Sequence, residues 1–113
     1  MKFYKILAVI LMAFTFKVSA GLPSYVGTID SVLVGKVYQQ RVFIEVSGAI
    51  HNQISCQTNG TFAFVLDGTT EQGQMYLSLI LMAYATKQQV SITGYDVCDI
   101  YPGVANFRSI QIK

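Results

Sequence analysis

Residues 71–87 read Glu-Gln-Gly-Gln-Met-Tyr-Leu-Ser-Leu-Ile-Leu-Met-Ala-Tyr-Ala-Thr-Lys. This stretch is the one long helical segment beyond residue 20, and the short strands fall on either side of it. Between Met75 and Ala85 only Ser78 is polar, Pro is absent, and Leu, Met and Ala are good helix formers. Glu71 near the start and Lys87 near the end have the signs that a helix dipole favours. Thr69 or Thr70 suits the N-cap. A surface helix ordinarily carries one apolar stripe and one wet face. Here Met75, Leu79 and Met82 form one apolar line, Tyr76, Ile80 and Ala83 a second, and Leu77, Leu81 and Tyr84 a third. So broad an apolar surface asks for cover on more than one side. In a small domain that implies a further subunit, and hence an assembly rather than a catalyst.

Upstream of the helix the pattern is β. Residues 26–34 alternate, but neither face is uniformly apolar, and Gly27 permits a bulge or sharp coil. Gly35-Lys36 reads as a tight turn, and residues 37–47 as a second strand. There Val42, Ile44 and Val46 point one way, and Arg41, Phe43, Glu45 and Ser47 the other. The two make a long hairpin. Residues 48–60 are a polar loop containing Cys56 and ending in Asn59-Gly60, a turn signal. Asn59-Gly60-Thr61 also matches a glycosylation acceptor, although the turn is the better reading. Residues 61–67 form a third strand with Phe62, Phe64 and Leu66 on one face.

Downstream, residues 89–95 are a fourth strand with Val90 and Ile92 inward. Residues 96–103 are a loop with Cys98 and the Tyr101-Pro102-Gly103 turn, and residues 104–112 are the last strand. Phe107 differs in parity from Ile110 and Ile112, which implies a bulge. The order β-β-β-α-β-β, with the helix between strands three and four, is that of the OB-fold, a small five-stranded Greek-key barrel. The expected class is therefore mainly β with one helix and one disulfide.

Residues 1–20 read as a secretory signal peptide. Lys2 and Lys5 precede an apolar run from Ile6 to Phe16, and Val18-Ser19-Ala20 is a cleavage signature. The run is short for a membrane anchor. The protein is expected in the periplasm or outside the cell, with no membrane insertion. The OB-fold domain would then be residues 21–113. Over the whole chain the net charge is +2. Past residue 20, however, Lys36, Arg41, Lys87, Arg108 and Lys113 face Asp30, Glu45, Asp67, Glu71, Asp96 and Asp99, a net −1. With no basic cluster, nucleic acid is not an expected partner.

Cys56 and Cys98 are the only cysteines. In an oxidising compartment such a pair reads as a disulfide closing a loop of about 43 residues, worth roughly 4 kcal/mol. Free thiols or a metal site are the alternatives, but His51 is the single histidine and other ligands are lacking. His51 has no carboxylate within five residues and reads as a solvated loop residue rather than a catalytic one. Phosphate loops and CxxC pairs are absent. The chain is read as a non-enzyme without metal or cofactor.

Several segments resemble the B subunits of subtilase-cytotoxin-type toxins. They are Gly27-x-Ile29, Val42-Phe-Ile-Glu-Val46, the loop ending in Cys56, the helix from Gln74 to Lys87, Val90-Ser-Ile, Cys98, and the closing Ser109-Ile-Gln-Ile. The resemblance covers most of residues 21–113. It implies an OB-fold assembled as a homopentamer with helices lining the centre, recognition of sialylated cell-surface glycans, and carriage of a toxic A subunit. The family's sugar pocket uses a serine near the first strand. Ser24 is nearest, with Tyr25 or Val26 also in register. On this reading Ser24, Tyr25, Tyr38 and Glu45 contact glycan, while Phe43, Met75, Leu79 and Met82 lie in the subunit interface. The chain stops earlier after its last strand than those subunits do. It has no Trp, so Tyr25, Tyr38, Tyr95 and Tyr101 are the available stacking surfaces. A second reading is a barrel that inhibits or assists a partner enzyme through a loop such as 48–60.

Overall fold

The computed structural model describes residues 21–113, so the signal-peptide assignment falls outside the described residues. The strands are β1 (Ser24–Gly27), β2 (Ile29–Val34), β3 (Arg41–Val46), β4 (Phe64–Asp67), β5 (Val90–Gly94) and β6 (Ala105–Ile112), and the α-helix, α1, is Glu71–Thr86. They form one curled sheet in the order β1-β5-β6-β4-β3-β2. All pairings are antiparallel except β4 with β6. The outermost strands, β1 and β2, are consecutive in the chain and separated only by Thr28.

Six strands stand where five were expected, because the first is cut in two. Gly27 has φ +156°, a backbone that an L side chain rarely adopts. Tyr25 folds back over this break, and its hydroxyl donates to the Thr28 carbonyl at 2.7 Å. The second strand is shorter than its sequence suggests. Residues 36–38 form a single 3-10 turn, and Gln39 and Gln40 take positive φ before β3 begins. The third strand begins only at Phe64. Upstream, the Asn59 carboxamide oxygen accepts from the Thr61 and Phe62 N–H groups, which keeps residues 59–62 in a loop. Phe62 consequently does not share a face with Phe64 and Leu66.

The helix is well terminated. Thr70 is the N-cap, its hydroxyl accepting from Gly73 N–H at 2.9 Å. At the other end Lys87 adopts a left-handed conformation and its N–H reaches the carbonyls of Ala83 and Tyr84. The helix packs on β2 and β6. Ile80 and Ala83 enter a core made with Ile29, Val42, Ile44, Phe64, Leu66, Val90, Ile92 and Phe107. Tyr76 stacks obliquely on Phe107 at 4.8 Å and donates its hydroxyl to the Arg108 carbonyl. The expected bulge in β6 is present. Thr93 pairs with Ser109 but Gly94 with Phe107, so Phe107, Ile110 and Ile112 all reach the core despite their parity.

Cys56 and Cys98 are joined by a disulfide. It links the 48–63 loop to the 95–103 loop. Among the described residues no helix is long and apolar enough to cross a membrane. The disulfide fits an oxidising compartment.

Candidate functional site

The outer face of the sheet carries a second, smaller core. Phe43, Val65 and Val104 are buried there beneath Leu33, Tyr38, Phe62, Ile100 and Tyr101. Three irregular segments supply its upper layer. The 3-10 turn lays Tyr38 against Phe43, with ring centres 5.3 Å apart and nearly perpendicular. The 95–103 loop brings Tyr101 to 4.9 Å from Phe43, again edge to face. The loop before β4 brings Phe62 to 5.4 Å. These geometries suit the opposite signs of ring edge and ring face.

Between these rings lies a cleft of about 170 Å³ lined by Leu33, Tyr38, Phe43, Asn59, Phe62 and Tyr101. Its walls are cross-tied. The Gly103 carbonyl accepts from both Thr58 and Asn59 N–H, at 3.0 and 2.9 Å. Asn106 holds the 95–103 loop by accepting from the Asp99 and Ile100 N–H groups and donating to the Asp99 carboxylate. Gln57, the one buried polar side chain among the described residues, donates to the Ala63 carbonyl and accepts from Ile54 N–H. The Arg41 guanidinium stands over the Tyr101 ring, 6.0 Å from its centre.

No protein-family profile, curated protein or solved structure matches the chain. The chemistry of the site therefore rests on its own residues.

The four residues expected to contact glycan do not line one cleft. Tyr38 is part of the aromatic cleft. Tyr25 is only 4 % exposed, because it packs into the main core and seals the β1–β2 break, so its ring offers little surface for stacking. Ser24 opens β1, where its N–H and carbonyl pair with those of His51. Glu45 is half-buried and accepts a 2.7 Å hydrogen bond from the Ser31 hydroxyl across β2 and β3. Leu33, Asn59 and Phe62 are the contributors missed as site residues. None has a local signature, because the cleft is assembled from segments distant in sequence.

The expected interface residues also divide. Phe43 faces away from Val42 and Ile44, as alternation requires, but it is 2 % exposed. Its ring is the floor of the aromatic cleft and has no surface left for a subunit contact. Met75, Leu79 and Met82 lie on the exposed side of α1, Met75 at 65 % and Met82 at 48 %, with Leu81 beside them. Of the three apolar lines on the helix, that of Tyr76, Ile80 and Ala83 is the buried one. Among the described residues no three His, Cys, Asp or Glu side chains gather as a metal site would require.

Proposed function

We propose that the protein is an exported, non-catalytic binding module that assembles with copies of itself through α1 and recognises sialylated cell-surface glycans. On this reading it is a homopentameric B subunit resembling those of subtilase-cytotoxin-type toxins, able to carry a toxic A subunit. The observation that carries the reading is the outer side of α1. A helix with its core face already buried still presents Met75, Leu79, Leu81 and Met82 to solvent, and contiguous exposed apolar surface of this kind marks interaction sites.

The topology supports the same reading. Taking β1 and β2 as halves of one interrupted strand leaves five strands, with the third and fifth parallel and the helix between the third and fourth, the arrangement of an OB-fold barrel. The alternative, a barrel that inhibits a partner enzyme, draws on the 48–63 loop. That loop is pinned by the disulfide and by Gln57, and it exposes His51, Gln53 and Ser55.

Light scattering of the oxidised protein after gel filtration tests the proposal. A mass of five chains is expected. A different multiple overturns the ring of five but keeps the assembly. A monomer overturns the assembly and favours the inhibitor reading.

A further inference from the structure

We propose that the aromatic cleft is a subsite for one neutral pyranose ring, held between Tyr38, Phe62 and Tyr101 and fixed by a hydrogen bond from the Asn59 carboxamide. The inference rests on the binding-module reading and deepens it, because it gives that module a ligand contact away from Ser24 and Glu45.

Size sets the first limit. Pockets that enclose a whole small ligand run to about 300–1,000 Å³. A cleft of about 170 Å³ takes one ring, and the rest of a longer ligand must lie over the rim. Charge sets the second. None of the six lining side chains, Leu33, Tyr38, Phe43, Asn59, Phe62 and Tyr101, is ionised at neutral pH. A charged sugar would be desolvated there with no ion-pair partner in the lining, the Arg41 guanidinium being engaged on the Tyr101 ring 6.0 Å from its centre. A nucleotide would bring phosphate with no cation in the lining to meet it.

The remaining chemistry is that of a ring with an apolar face and a polar edge. Aromatic side chains supply the apolar wall. Asn59 supplies the polar contact, and its orientation is determined by its neighbours. Its oxygen already accepts from the Thr61 and Phe62 N–H groups, each at 2.8 Å. That leaves the amide nitrogen, with its donors, for a hydroxyl or acetamido oxygen of the ligand. The cross-ties through Gly103 and the disulfide hold the cleft in shape before anything binds, which lowers the ordering cost of association.

The test is a titration of isotope-labelled, oxidised protein with methyl pyranosides of glucose, galactose, mannose and N-acetylglucosamine, followed by nuclear magnetic resonance. Native mass is measured on the same sample. At least one pyranoside is expected to shift the Asn59 side-chain amide and the Phe62 and Tyr101 signals. Asn59→Asp keeps an oxygen for Thr61 and Phe62 but removes the donor. It is expected to weaken binding about tenfold with the spectrum otherwise native, the size of one lost hydrogen bond. Tyr101→Ala is expected to abolish the shifts. Absence of cleft shifts with every pyranoside overturns the subsite, as does full binding by folded Asn59→Asp. Cleft shifts produced by N-acetyl-tryptophanamide and by no pyranoside overturn it in favour of a peptide side chain. A monomer that still shows the pyranoside shifts sinks the assembly and spares the subsite, while a ring without them does the reverse.

Discussion

Tyr25 and Thr28 are joined across Gly27 by a 2.7 Å hydrogen bond from the tyrosine hydroxyl to the threonine carbonyl. The ring that makes this bond is itself buried in the main core. Cβ atoms built on Gly27 and Gly48 would both run into the same ring. Tyr25 therefore shapes the point at which one strand becomes two.

Two substitutions separate the hydrogen bond from the backbone requirement. Tyr25→Phe is expected to cost about 1 kcal/mol, the net worth of one such bond. Gly27→Ala is expected to cost more, because it combines a positive φ with a clash against the Tyr25 hydroxyl. Urea unfolding of the oxidised protein measures both. Equal stability of wild type and Gly27→Ala would show that the break tolerates a side chain.

The two faces of α1 should respond differently. Ile80→Ala on the buried face is expected to lower stability by about 2–5 kcal/mol through the cavity it leaves. Met82→Glu on the exposed face is expected to leave the isolated fold nearly as stable and to reduce the native mass. If Met82→Glu leaves the mass unchanged, that face is not the contact between copies.

Gly73 is expected to resist replacement although it lies in a helix. Alanine normally stabilises a helical site relative to glycine by about 1 kcal/mol. Here the added methyl would press on the Asp67 carbonyl and crowd the Thr70 hydroxyl that caps the helix. Gly73→Ala should therefore destabilise, as read by thermal unfolding. A raised melting temperature would mean that the β4–α1 turn moves aside.

Asp67 gives a pH signature. Hydrogen bonds from the Thr69 hydroxyl and the Thr69 N–H hold its carboxyl below the usual 3.8, helped by Arg41. The unfolded chain binds this proton more readily than the folded one does. The contribution to stability is thus complete above pH 3.8 and fades as pH falls through the lower folded value. Asp67→Asn should flatten the stability profile below pH 4 and change its slope little above pH 5. An unchanged acid limb in that variant would assign the loss to other carboxylates.

The disulfide is expected to contribute about 4 kcal/mol for its loop length. Because it ties two outer loops, its removal in a Cys56→Ser, Cys98→Ser variant should raise hydrogen exchange in residues 48–63 and 95–103 before it does so in β3 or β6. Uniform acceleration throughout the sheet would indicate a global role instead.

Much of this architecture was legible because local chemistry and tertiary need agree. The helix ends follow from capping and dipole preferences, which offer Thr69 or Thr70 at the start, where the structure uses Thr70, and Lys87 at the finish. The bulge opposite Gly94 follows from the parity of Phe107 against Ile110 and Ile112. The break at Gly27 was allowed by the glycine, but that it divides the strand depends on Tyr25 folding back, a contact no pattern encodes. Phe62 was placed with Phe64 and Leu66 because alternation assumes that a strand continues. The Asn59 side chain ends that continuity by taking two backbone N–H groups. Phe43 illustrates the same limit: alternation gave its direction, while burial came from Tyr38, Phe62 and Tyr101, which reach it from three other segments.

The sheet begins and ends, in space, with residues adjacent in the chain, and this sets an order of assembly. During synthesis β2 meets β3 within a few residues of emerging. Strand β1, although made first, has only the bridge from Ser24 to His51 until Val90–Gly94 arrives to pair along its length. Until then most of it is an unpaired edge, the kind of surface that templates association with other chains. Closure is also the most non-local step, and non-local pairing is slow. The final docking of β5 between β1 and β6 is therefore the step at which a newly made molecule either completes itself or is captured by its neighbours.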